Sequence, residues 1–180
     1  MSGPTVALFR LASLLSEVGA RWALVGGMAM IARVHIRPTD DVDVVLALPV
    51  SRAREIAERS RRHGFTFDEE EMRTFGEAGL VRLRDEQDPT TGADLIFVDS
   101  RFLDDVVNRA TSVELAFGSV PVASVEDLLL LKLDANRPED LEDAITLKDV
   151  HGAVLDRAYL KAQGAALDLT ARLEAFLGPL

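Results

Sequence analysis

Three aspartates, Asp40, Asp41 and Asp43, stand directly before the apolar run Val44-Val45-Leu46-Ala47-Leu48. Carboxylates repel one another and bury poorly unless paired or bound to a cation. In an extended chain, side chains alternate faces. Asp41, Asp43, Val45 and Ala47 therefore share one face, and Val42, Val44, Leu46 and Leu48 the other. Strand geometry puts the alpha carbons of Asp41 and Asp43 about 6.5–7 Å apart. Both carboxylates can then reach one hard divalent cation. Mg²⁺ suits such a site, because it takes one or two carboxylates and fills its other positions with water and phosphate oxygens. A solvated strand start or an Asx turn would show the same letters without a metal, and a D-x-D alone is a weak pattern.

Two further features point the same way. Gly26 and Gly27 end one apolar run and open another. Glycine lets backbone come close to a phosphate, and a helix N-terminus offers free N–H groups and a positive dipole end; a plain strand-to-helix turn has the same form. Later, "GADLIFVD" repeats the acid-then-apolar pattern with Asp94 at its start. Asp94 completes a set of three carboxylates, and two metal ions about 3.5–4 Å apart could clamp an in-line displacement at phosphorus. An EF-hand loop is excluded, since its glycine is missing.

The elements that must position these residues follow from periodicity. Residues 5–18 carry Val6, Phe9, Leu11, Leu14, Leu15 and Val18 at helical spacing, with Gly19 as C-cap. Strands are expected at Trp22–Gly26, Asp41–Leu48, Leu80–Arg84 and Ala93–Asp99, with the first, second and fourth as neighbours in a mixed sheet. "VELAFGSVPVAS" reads as strand, turn and strand. Helices are expected at "MAMIARVHI", at "SRAREIAERSRRHG" with Ser51 as N-cap, and at "RFLDDVVNRA". Residues 65–79 receive no element. From Ser124 onward all segments read as helical. The expected fold is α+β, a mixed sheet flanked by helices (residues 1–123) with a C-terminal helical bundle (residues 124–180) packed on it.

With these elements in place, "LVGGMAMIARVHIRPTDDVDVVL" resembles the signature of the nucleotidyltransferase superfamily, the polymerase β-like fold. The "R-x-T-x-D-x-D" form, here Arg37, Thr39, Asp41 and Asp43, is similar to the AbiEii-like branch, which includes toxins of bacterial toxin–antitoxin systems. "VPVASVEDLLLLKLDANRPEDLEDAITL" is similar to that branch too, with "S-x-E-D-L", a lysine and "A-x-R-x-x-D". The likeness spans Trp22 to Leu147. It implies that Asp41 and Asp43 bind Mg²⁺, and that Asp94 is the third ligand and general base. It implies that Gly26 and Gly27 seat the triphosphate and that Lys132 contacts it. Arg37 belongs with these nucleotide-binding residues or else orients Asp41 or Asp43; a surface ion pair is the plain alternative. Lys132, likewise, could simply reach out of a core helix. Met28 departs from the pattern, since many relatives carry serine or threonine after the glycines.

The resemblance implies transfer of a nucleoside monophosphate from an NTP, such as ATP, to a hydroxyl of a tRNA, a protein or a small molecule. It also implies a cognate antitoxin as partner. A non-catalytic nucleotide-binding relative and a D-x-D glycosyltransferase are the competing classes. Twenty basic against thirty acidic residues give a net charge of −10, which disfavours bulk binding to DNA or anionic membranes. Five arginines on residues 52–62 could still face RNA, though a solvated helix face is the plainer reading. No cysteine is present, so disulfides and thiolate metal sites are excluded. The three histidines lack metal-ligand spacing. No stretch approaches the about 20 apolar residues of a membrane span, the N-terminus has no secretory pattern, and a cytoplasmic location is expected.

Overall fold

The structure, a computed structural model, describes residues 3–34, 38–76, 78–115 and 118–179. It forms two compact units, one of Met1–Ala32 with Arg37–Ala123 and the other of Arg33–Ile36 with Ser124–Leu180.

The first unit is built on a sheet. Its strands are β1 (Trp22–Val25), β2 (Asp41–Leu46), β3 (Phe65–Thr66), β4 (Leu80–Asp85), β5 (Gly92–Phe97), β6 (Thr111–Leu115) and β7 (Gly118–Val122). They lie in the order β3-β4-β5-β2-β1-β7-β6. The pairs β2–β5 and β1–β7 are parallel and the others antiparallel, so the sheet is mixed and the three expected neighbours do adjoin. The period-two pattern explains the faces. Val42, Val44 and Leu46 of β2 match Ala93, Leu95 and Phe97 of β5, and all six are buried. Helices α1 (Gly3–Glu17) and α5 (Arg101–Arg109) pack against these central strands.

Local sequence explains where several helices begin or end. Helix α1 buries Ala7, Leu8, Leu11, Leu14 and Leu15 on one stripe. It ends at Gly19, whose φ of +65° favours glycine. Phe9 was expected on the stripe but is 60% exposed. It lies one position after Leu8, about 100° around the helix from the buried face.

Helix α2 (Gly26–Val34) begins at the two glycines. Helix α3 (Ala53–Ser60) corrects the Ser51 cap. Pro49 leads into a 3₁₀ turn, Val50–Arg52, with the Arg52 N–H donating to Pro49 O at 3.0 Å, so Ser51 lies inside that turn. Residues 65–75 hold elements that periodicity missed. β3 has two residues, and α4 (Glu69–Phe75) is a two-turn helix. Asp68 caps α4 by accepting from the N–H groups of Glu70 and Glu71 at 2.8 and 2.9 Å. Three glutamates in its first turn suit the positive dipole end.

The second unit contains α6 (Val125–Ala135), α7 (Pro138–His151), α8 (Arg157–Ala166) and α9 (Thr170–Leu177), the helical run expected from Ser124. The Ser124 hydroxyl accepts from the Asp127 N–H, capping α6, and donates to the Asp127 carboxylate. Tyr159 of α8 donates to the other oxygen of that fully buried carboxylate. This network gives a buried charge the hydrogen bonds it needs and ties α8 to α6.

Candidate active site

Asp43 and Asp94 are direct partners in the parallel β2–β5 register, and Asp41 is opposite Gly92. Neighbouring strands run about 4.8 Å apart, so Asp43 and Asp94 lie side by side on one face with Asp41 two residues before. Asp41 is exposed, while Asp43 and Asp94 are half-buried. On its other flank Asp43 pairs with Val25, the residue before Gly26. The sheet thus brings together Asp41 and Asp43 of β2, Asp94 of β5 and Gly26 at the turn into α2.

Two glycines make this crowding possible. Gly26 has φ +62°, and a Cβ there would fall 1.9 Å from Asp43 Oδ2 and 2.6 Å from its Cγ. A Cβ at Gly92 would fall 2.8 Å from Asp41 Oδ1. Each carboxylate therefore rests over backbone that carries no side chain. The space cleared at Gly26 is occupied by Asp43, while Gly27 meets Thr39, with its would-be Cβ 2.7 Å from Thr39 Oγ1.

The electrostatics single out Asp94. Burial pushes its carboxyl above the ordinary aspartate value, Arg82 opposes that rise, and the nearby charges of Asp41 and Glu71 add to it. Arg82 is the cross-strand partner of Asp94 on β4, and its Nε donates to Asp94 Oδ2 at 3.4 Å. Sequence reading assigned Arg82 no role. The alternation of Arg82 and Arg84 with Val81 and Leu83 placed it on an exposed face, but only register shows which residue it faces. Among the described residues no group of three or more His, Cys, Asp or Glu is gathered closely enough to hold a metal ion. The donor set still suits a hard cation. It offers three carboxylates on one face, two cleared of side-chain obstruction by glycine, in a place where burial, and like charge with it, resists ionisation of the third.

The remaining expected residues fall elsewhere. Arg37 lies outside the described residues. Lys132, in the second unit, is 7% exposed, with its ammonium 2.8 Å from Asp140 and 2.8 Å from Asp143. Arg137 reaches Asp140 at 2.6 Å. Burial alone would raise the Asp140 carboxyl, but hydrogen bonds from Arg137 and Lys132 hold it below the ordinary range. The arginines around α3 are largely matched by glutamates. Arg52 meets Glu55 at 3.0 Å, Arg54 meets Glu58 and Glu69 at 2.9 and 2.8 Å, and Arg59 meets Glu55 and Glu17 at 3.0 and 3.2 Å. That face is a balanced ion-pair lattice rather than a free basic strip. Among the described residues no helix is long and apolar enough to cross a membrane.

The mixed sheet, with D-x-D on one strand and an aspartate on the adjoining strand beside a Gly-Gly turn, has the arrangement expected of a nucleotidyltransferase fold. Solved structures agree on the fold. The chain resembles the lincosamide antibiotic adenylyltransferase LnuA, lincomycin-bound, with TM-score 0.56 and 15% identity over 78% of this chain and 94% of that one. It resembles the antibiotic-resistance factor ANT(2'')-Ia with TM-score 0.59 and 18% identity over 96% and 99%. An antigenic nucleotidyltransferase-like protein from Paracoccidioides brasiliensis gives TM-score 0.57 and 17% identity over 98% and 93%. No curated protein matches the chain by sequence. Residues 7–151 match the family model described as nucleotidyl transferase AbiEii toxin, type IV toxin–antitoxin system. The chain belongs to that family.

Proposed function

We propose that the protein moves a nucleoside monophosphate from an NTP to a hydroxyl acceptor in a Mg²⁺-dependent reaction, as the toxin of a toxin–antitoxin pair with a cognate antitoxin. The observation that carries this reading is the register, with Asp94 directly beside Asp43 and Asp41 on the same face. Asp41 and Asp43 would hold the metal that escorts the triphosphate, and Asp94 would complete the set from the acceptor side. Bound Mg²⁺ supplies positive charge where negative charge develops on phosphate and leaving group. The acceptor oxygen attacks the α-phosphorus, the bond to the β-phosphate oxygen breaks, and pyrophosphate leaves. Asp94 would take the hydroxyl proton; burial and its acidic neighbours raise its basicity, which supports that role. The backbone at Gly26 and Gly27, where α2 begins, would meet the triphosphate. For Lys132, two carboxylates at 2.8 Å support a structural charge over a phosphate contact. The acceptor is a hydroxyl of a tRNA, a protein or a small molecule.

Ligand-induced stabilisation tests the site without knowledge of the acceptor. A ligand at a hundred times its Kd adds about 2.7 kcal/mol to the native state. For a chain of this size that is roughly 5–10 °C in melting temperature. Mn²⁺ or Mg²⁺ with NTP should give the wild type such a rise, and Asp43→Asn should lose most of it while remaining at least as stable without ligand. Equal shifts in the two proteins would contradict the assignment.

A further inference from the structure

We propose that Arg82 is a positioning residue for Asp94, a guanidinium clamp braced on Phe75 that holds one carboxylate oxygen and leaves the other to the reaction. The inference rests on the function proposed above. Arg82 and Asp94 are register partners on adjacent antiparallel strands, which places their side chains on the same face. The Arg82 Nε donates to Asp94 Oδ2 at 3.4 Å, leaving Oδ1 outside that contact. The guanidinium carbon also lies 5.7 Å from the centre of the Phe75 ring, within cation–π range. Phe75 is 40% exposed, so part of its ring surface is open beside the guanidinium. The neighbouring Arg84 cannot substitute, because Glu71 of α4 holds its guanidinium at 2.9 and 3.0 Å. Helix α4 therefore braces both arginines of β4, Arg84 through Glu71 and Arg82 through Phe75. A clamp of this kind also sets one positive charge beside three carboxylates. It orders the base-side carboxylate and, at the same time, weakens the attraction of the cluster for a free cation.

These two effects move opposite readouts, which separates the proposal from a merely structural role. In Arg82→Met, Mn²⁺ should bind the NTP-free protein about fivefold more tightly, the scale of one half-exposed charge at short range. In the same variant kcat should fall on the order of a hundredfold, the cost of a misplaced group, with KM for NTP unchanged. Arg82→Lys restores the charge, so Mn²⁺ affinity should return to the wild-type value while kcat recovers only in part. Phe75→Ala should lower kcat in the same sense by a smaller factor and add nothing in an Arg82→Met background. Phe75→Ala also carries the test should Arg82→Met not fold. Mn²⁺ titration read by electron paramagnetic resonance, beside steady-state kinetics, gives both quantities. An active wild type with Mn²⁺ affinity and kcat unchanged in Arg82→Met overturns the clamp alone. So does a fall in kcat with weaker NTP binding and no gain in Mn²⁺ affinity. A wild type that neither binds Mn²⁺ nor transfers nucleotide overturns both this inference and the function beneath it.

Discussion

Asp41→Ala and Asp43→Ala should each abolish nucleotidyl transfer and metal-dependent NTP binding together, whereas Asp94→Ala should lose transfer and keep NTP affinity within a few-fold. The difference follows from placement. Asp41 and Asp43 project from one face of β2, and Asp43 lies against Gly26 at the start of α2. On the proposed function both would belong to the part of the site that receives the metal–triphosphate. Asp94 enters from β5, on the side bounded by Arg82 and β4. Loss of transfer should be on the order of a thousandfold in all three, the scale seen when charge stabilisation or proton transfer is removed from a preorganised site. Calorimetry of NTP binding in Mg²⁺, beside single-turnover transfer, separates the two kinds of loss. Without ligand, none of the three variants should be less stable by more than a few tenths of a kcal/mol, because each removes one of several like charges. An Asp94→Ala enzyme at the wild-type rate would withdraw its catalytic role and leave the Asp41–Asp43 pair standing.

Gly26→Ala should cost both stability and nucleotidyl transfer. Two costs coincide there. The φ of +62° is strained for alanine, by about 1–3 kcal/mol. The new Cβ would also stand 1.9 Å from Asp43 Oδ2, 2.6 Å from its Cγ and 2.9 Å from its Cβ, so the whole carboxylate must move. Gly19 supplies the control. It has φ +65° at the end of α1, and nothing lies within 4 Å of its would-be Cβ. Gly19→Ala should therefore share the backbone cost and leave transfer untouched. Gly26→Ala should add to that cost a fall in kcat on the order of a hundredfold or more, since displacement of a reacting group by about 1 Å is felt at that level. Denaturant unfolding measures the first effect and single-turnover transfer the second. A Gly26→Ala protein that is destabilised but transfers at the wild-type rate would show that Asp43 need not stay where it lies.

The candidate site was legible because its signs are local. Alternation places Asp41 and Asp43 on one face, a glycine pair marks a tight strand-to-helix turn, and an acid before an apolar run repeats at Asp94. Registers are set by pairings between distant segments, so they are invisible to periodicity. That Asp94 meets Asp43 on one side and Arg82 on the other is information of this second kind. Short elements escape for a related reason. Two residues of β3 and seven of α4 are too few to show a period, and the Asp68 cap with its three following glutamates was the available sign. The Ser51 cap failed because Pro49 starts its own turn earlier. The resemblance implied a phosphate contact for Lys132, but Asp140 and Asp143, one turn apart on α7, each meet it at 2.8 Å, a spacing that reads as structural pairing.

The central claim is that this site transfers a nucleoside monophosphate. It is tested most directly by incubating the protein with Mg²⁺ and cell lysate or total RNA, with each NTP labelled in parallel at the α- or the γ-phosphate. Label from the α-phosphate should become attached to an acceptor with release of pyrophosphate, and none should come from the γ-phosphate. Chelation of the metal, or Asp43→Ala, should remove the signal. Transfer of γ-label, or α-label incorporation that persists undiminished in Asp43→Ala, would contradict the assignment.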